Sequence, residues 1–287
     1  GSIEKQEAKD TVKAINSMGL LKLAVPFTVV GLMFSLLMSI DLWFIKGFIL
    51  NAAEIGYYVA AGTLAKSLYF LFAALSVALF PAITNSIAEG RVEQTKRYIN
   101  QAFRFLLMFL VPISFAMALT SSNLVSLLYS PRYLSAGSPL AILAFGYAFI
   151  SILLAIIYIL MANNNFKEVI ILTLFLVIID IGLCIGLIPH YGLNGAAWAT
   201  TSTCFLGFTL GAGLIWKKFK TLVSLRSFLK ILIASFLTSL IFIIPASGVK
   251  LIFLYLAAAA AYVCLLLLFK EIKEEDIAIL KRLAGRI

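Results

Sequence analysis

Charge is scarce in this chain. Asp, Glu, Lys and Arg make up 13% of its 287 residues, where a soluble domain carries about 25%. Histidine occurs once and cysteine three times. A single histidine excludes a two-histidine metal motif, no Gly-rich nucleotide loop is present, and no nucleophile stands beside a plausible base. The sequence therefore offers no catalytic residues, no metal site and no cofactor. Cys184, Cys204 and Cys264 all fall inside apolar runs without ligand spacing, so they are expected to be buried small hydrophobes rather than disulfides or metal ligands.

What is abundant is apolar sequence, 62% of the chain, with a mean hydropathy of +1.05. A membrane-spanning helix needs about 20 mainly apolar residues, because every backbone N–H and C=O must be bonded internally where water is absent. Eight segments meet that requirement: 20–45, 52–81, 98–120, 136–162, 166–188, 191–216, 228–245 and 249–269. They are about twice the length of a barrel strand and lack its in/out alternation, which excludes a β-barrel. The fold class is all-α, a polytopic membrane protein.

The formal charge of +10 does not point to nucleic acid once the positions of the basic residues are considered. Lys46, Arg132 and Lys250 fall on one side of the membrane and Lys66 lies mid-span, while the other Lys and Arg residues cluster on the side of the N-terminus. The positive-inside rule makes that side, and both termini, cytoplasmic. The excess charge then reflects topology and attraction to anionic lipid.

Residues 1–10 have no apolar core and no cleavage site, so they read as a polar cytoplasmic segment and not as a signal peptide. The Gly-Ser start suggests a fragment. The outer stretch 121–138 is expected to form a short interfacial helix broken at Pro131, and the tail 271–287 an amphipathic helix on the inner leaflet. Gly182 with Gly186, and Gly207 with Gly211, have the spacing of close helix packing. In "GLIPHYGLNGAAWAT" (186–200), Pro189 is expected to end one helix, with Gly192 and Asn194 supplying the turn. His190 then sits at the outer interface with no chemical role.

Ionisable residues at mid-bilayer cost at least about 2.5–3.5 kcal/mol each, so they mark a cavity or a partner. Lys66 lies about 14 residues, roughly 21 Å by helical rise, from the outer end of its helix. Asp180 sits at similar depth, so a Lys66–Asp180 pair is one expectation and a substrate-facing Lys66 the other. Tyr58, Gly62 and Tyr69 share a helical face with Lys66. Asp41 lies near the outer end of the first helix, where a solvated or capping role competes with a functional one. Arg104 lies near an inner helix end, within reach of the interface.

The runs "LLKLAVPFTVVGLMFSLLMSID", "AAEIGYYVAAGTLAKSLYFLFAALSVALFPAI", "LVSLLYSPRYLSAG", "LIPHYGLNGAAWAT" and "KEEDIAILKRL" follow in an order that resembles the second lobe of polysaccharide and lipid-linked oligosaccharide flippases. These form the polysaccharide-transporter branch of the multidrug/oligosaccharidyl-lipid/polysaccharide exporter superfamily. The resemblance implies an inter-lobe linker at 1–19, a six-helix lobe at 20–217, two further helices at 218–270 and a cytoplasmic tail at 271–287, with an N-terminal lobe missing. It implies flipping of a polyprenyl-diphosphate-linked oligosaccharide for surface polysaccharide synthesis. Lys66, helped by Arg104, would meet the diphosphate, and Tyr58 and Tyr69 the sugars. Asp41 matches an aspartate common in the family, whereas Asp180 stands where relatives usually carry asparagine. Membrane lipid, the missing lobe, and glycosyltransferases or a polymerase are the implied partners, and nucleic acid is not one. Two alternatives remain at this stage: a cation-coupled multidrug exporter of the same superfamily, and a non-transporting scaffold for glycan assembly.

Overall fold

A computed structural model describes residues 17–244 and 248–271. The chain is built from helices in the order α1 (Ser17–Leu37), α2 (Ile40–Phe48), α3 (Ala52–Ala88), α4 (Val92–Leu119), α5 (Ser121–Leu128), α6 (Gly137–Ala162), α7 (Phe166–Phe219), α8 (Leu225–Ser239) and α9 (Val249–Leu268). Short 3-10 turns at Pro131–Ala136 and Leu240–Ile243 follow α5 and α8. The tail expected at 271–287 lies outside the described residues beyond Glu271.

Among the described residues, seven helical stretches are long and apolar enough to cross a membrane. The sequence suggests eight crossings, and α7 reconciles the two. Its 54 residues would extend about 81 Å as a straight rod, far more than the ~30 Å bilayer core. The rod is broken at Gly192 (φ 56°, ψ −131°), a backbone conformation that only glycine adopts without strain. A Cβ placed on Gly195 would lie 2.2 Å from the Leu187 carbonyl oxygen, so the chain folds back on itself there. Thr203 bonds to Asp180, 23 residues earlier, which only an antiparallel hairpin permits. Pro189 remains helical, and the turn comes three residues later than its position suggests.

The core runs along α6. Hydrophobic on all sides, it is buried over nearly its whole length and packs against α3, α4 and both halves of α7, as a helix without a polar face must. Close approach is enforced at Gly146, where an added Cβ would come within 2.6 Å of Thr201 Oγ1 and 3.2 Å of Thr201 Cα. Gly207 abuts Leu176 and Leu153, and Gly211 abuts Ile156, as the small-residue spacing suggests. Gly182 and Gly186 have nothing within 4 Å of a would-be Cβ, so that pair packs against no neighbour. The spacing recurs by chance on an apolar helix, and here it falls on an outward face.

The segment 121–138 forms α5 and the Pro131–Ala136 turn, broken where Pro131 opens the turn and Ser130 Oγ accepts from Arg132 N at 3.3 Å. At the far side, α8 packs on α4 and α9 packs on α8. Tyrosines of α9 reach across to α4: the Tyr255 and Thr120 hydroxyls are 2.6 Å apart, and Tyr262 Oη donates to the Met108 carbonyl at 2.7 Å. Cys184 and Cys204 are buried as expected, but Cys264 on α9 is exposed. A residue inside an apolar run can face lipid as readily as core, so hydropathy does not distinguish the two.

Candidate substrate cavity and buried carboxylates

The helix of residues 20–45 is not continuous. After α1 the chain tightens at Met38 and Ser39, where Ser39 N bonds to the Leu36 carbonyl three residues back, and α2 begins with Asp41 in its first turn. A carboxylate at a helix start meets unsatisfied amides and the positive end of the helix dipole. Accordingly, Asp41 Oδ1 accepts from Leu42 N at 2.7 Å. Its Oδ2 accepts from Tyr58 Oη of α3 at 2.6 Å and from Thr200 Oγ1 of α7 at 3.4 Å. Asp41 is 4% exposed, so the solvated, interfacial role does not apply: the break in the helix turns the carboxylate inward to a waiting tyrosine.

Asp180 is fully buried. Oδ1 accepts from Thr203 Oγ1 at 3.1 Å, and Oδ2 has no hydrogen-bond partner among the described residues. The expected Lys66–Asp180 pair is absent. Similar depth placed Lys66 and Asp180 at one level of the bilayer, but their helices present them to different neighbours.

Lys66 lies on the wall of a cavity of about 450 Å³ between α1, α3 and α6. The wall is aromatic and small-polar, with Phe34, Tyr69 and Tyr158 beside Ser35 and Ser39, and carries no carboxylate. Lys66 is half-buried and makes no hydrogen bond or ion pair among the described residues. Tyr69 shares this cavity, with its ring 6.0 Å from that of Phe34. Tyr58 does not: it is 3% exposed and its hydroxyl donates to Asp41, away from the cavity wall where a sugar contact is expected.

Arg104 is elsewhere. It is 2% exposed, and its Nη1 donates to the Glu271 carbonyl at 3.4 Å. The Glu271 carboxylate meets Lys230 at 3.5 Å and the Ser227 hydroxyl, while Lys230 Nζ also donates to the Phe269 carbonyl at 2.6 Å. Arg104 thus fastens the end of α9 to α4 and borders a separate polar cavity of about 790 Å³ with Lys96, Arg97 and Tyr98. It does not line the Lys66 cavity. Thr200 and Thr203, which donate to the two buried carboxylates, are the side chains that sequence reasoning passed over. The available signal was the hydroxyl-rich run "ATTSTC" in an otherwise apolar helix.

The family described as "Lipid II flippase MurJ" matches residues 6–270. The chain belongs to that family. The sequence motifs resemble the polysaccharide-transporter branch, and the match moves the assignment to the lipid II flippases of the same superfamily. Among solved structures, "Lipid II flippase MurJ, inward closed conformation" is 20% identical with a TM-score of 0.74, covering 91% of this chain and 56% of that one. A superfamily transporter from Pyrococcus furiosus, whose binding pocket is described as having reversed polarity, is 18% identical with a TM-score of 0.60 over 77% of this chain and 52% of that one. An outward-facing multidrug resistance transporter is 19% identical with a TM-score of 0.58, again over 77% and 52%. At these identities the structural likenesses establish the fold. No curated protein matches the chain. The chain spans about half the length of the solved structures it matches.

Proposed function

We propose that this chain forms the second lobe, with two further helices, of a flippase that carries a polyprenyl-diphosphate-linked glycan across the cytoplasmic membrane, with both termini cytoplasmic. On this reading residues 1–19 link the lobes, 20–217 form the lobe and 218–270 the added helices. The observation that carries it is Lys66: a mid-membrane cation on an open cavity wall without a carboxylate. Placing an ammonium there costs at least about 2.5–3.5 kcal/mol, and no ion pair among the described residues offsets it. A diphosphate entering the cavity does, by charge-assisted hydrogen bonds. Tyr69 and Tyr158 offer faces to a sugar, while the polyprenyl tail remains in lipid.

The family match favours lipid II as cargo over an oligosaccharide for surface polysaccharide. The multidrug reading calls for carboxylates facing a cationic drug, and Asp41 and Asp180 are both turned away from the cavity and bonded to hydroxyls. The test is reconstitution of the full-length parent in vesicles with fluorescent lipid II, with a surface-polysaccharide precursor of the same polyprenyl diphosphate as comparison. Lys66→Ala should slow translocation by about tenfold or more, the value of one charged hydrogen bond, and Lys66→Arg should restore part of it. Wild-type rates in the alanine variant would remove Lys66 from the mechanism and favour a scaffold. Faster movement of the comparison lipid would return the cargo to surface polysaccharide.

A further inference from the structure

At the basic end, the last turns of α3 and α7, the first turn of α4 and the turn after α6 enclose a pocket of about 320 Å³. Lys96, Lys218 and Lys220 lie on its wall with Asn163, Ser86 and Thr95, the last two with their hydroxyls 2.8 Å apart, and no carboxylate among the described residues does. Lys96 pairs with Glu93 at 2.7 Å and Lys218 with Glu168 at 2.9 Å, but both acids stand outside the wall, and the Glu93 side chain is 85% exposed. The Lys96–Glu93 pair, open to water on the acid's side, is weak and exchanges readily for a better anion, whereas Lys218 is held more firmly, bonding also to Asn165 Oδ1 at 3.0 Å. The Lys220 ammonium makes no hydrogen bond or ion pair among the described residues. Its backbone closes α7 in the left-handed conformation at φ 51°. Ile87 and Phe219 supply an apolar margin.

Three lysines on one wall, with an apolar margin at the end of membrane-spanning helices, match the phosphodiester and first methylenes of an anionic lipid. We propose that this pocket binds the phosphate of an anionic phospholipid in the leaflet at the basic end. It shares no lining residue with the Lys66 cavity, so it stands or falls separately from the flippase reading.

The full chain, purified in detergent, is titrated with phosphatidylglycerol, phosphatidylcholine or inorganic phosphate and bound species are counted by native mass spectrometry. The wild type should retain phosphatidylglycerol over phosphatidylcholine. Lys96→Gln combined with Lys220→Gln should lower that retention by about tenfold or more, at roughly a factor of five per lysine. Lys46→Gln with Lys250→Gln, at the opposite end, should leave it unchanged. Equal retention in the two double variants overturns the proposal, as does competition by inorganic phosphate at the same concentration, which would assign the pocket to free phosphate. Should the Lys96/Lys220 variant unfold, Lys220→Gln alone carries the test, because that side chain is exposed and makes no hydrogen bond or ion pair among the described residues.

Discussion

Lys66 and Arg104 are both cations within apolar helices, and the fold treats them in opposite ways. Arg104 is sealed at 2% exposure and spent on joining the end of α9 to α4. Lys66 is half-buried on an open cavity wall and enters no ion pair among the described residues. A charged residue in a membrane helix is costly in either place, so the partner, not the charge, tells function from structure. Arg104 ties the end of α9 to α4, whereas Lys66 makes no hydrogen bond or ion pair among the described residues.

The contrast is broken most directly by reversing the charge. Lys66→Glu in the full-length parent should abolish translocation, by about a hundredfold or more, because attraction to a diphosphate becomes repulsion in a poorly screened cavity. The folded yield should stay normal; a fall in yield as large as the fall in transport would make Lys66 structural after all.

Arg104→Gln should do the reverse. Losing the charged bond to the Glu271 carbonyl costs about 2 kcal/mol, visible as a lower thermal midpoint in detergent, while the rate per folded molecule holds. A specific loss of transport at unchanged stability would move Arg104 into the mechanism.

A smaller effect is expected at the buried carboxylates. Thr203→Val removes the one hydroxyl donor seen on Asp180 and should cost about 1–2 kcal/mol of stability. A charge swap of Lys66 and Asp180 should rescue neither single change, since the two do not meet. Rescue in a vesicle assay would restore the pair. At the bottom of the scale, His190→Ala should change stability by less than about 0.5 kcal/mol, because His190 is exposed beside the α7 turn.

Much of the fold was legible along the chain because hydropathy and length are one-dimensional properties. Apolar runs near 20 residues forecast the crossings, Pro131 the break in the outer segment, and Gly192 the α7 turn. Position along a helix also yields depth, at 1.5 Å per residue, which is why Lys66 and Asp180 could be placed at one level. Rotation about the helix axis was not legible. Asp41 depended on an unforeseen break at Met38 and Ser39, Cys264 on which side of α9 faces outward, and Tyr58 on what stood opposite it.

The sequence by itself determined that this is an all-helical membrane protein with a cation at mid-depth, since a bilayer without water permits little else for such runs. Only the tertiary structure decided that Asp180 faces Thr203, that Tyr58 serves Asp41, and that Arg104 leaves Lys66 alone in its cavity. Partners across a bundle follow from how the helices are turned about their axes. That rotation is set by close packing around α6, where Gly146 lets α7 approach, and no single helix carries the information.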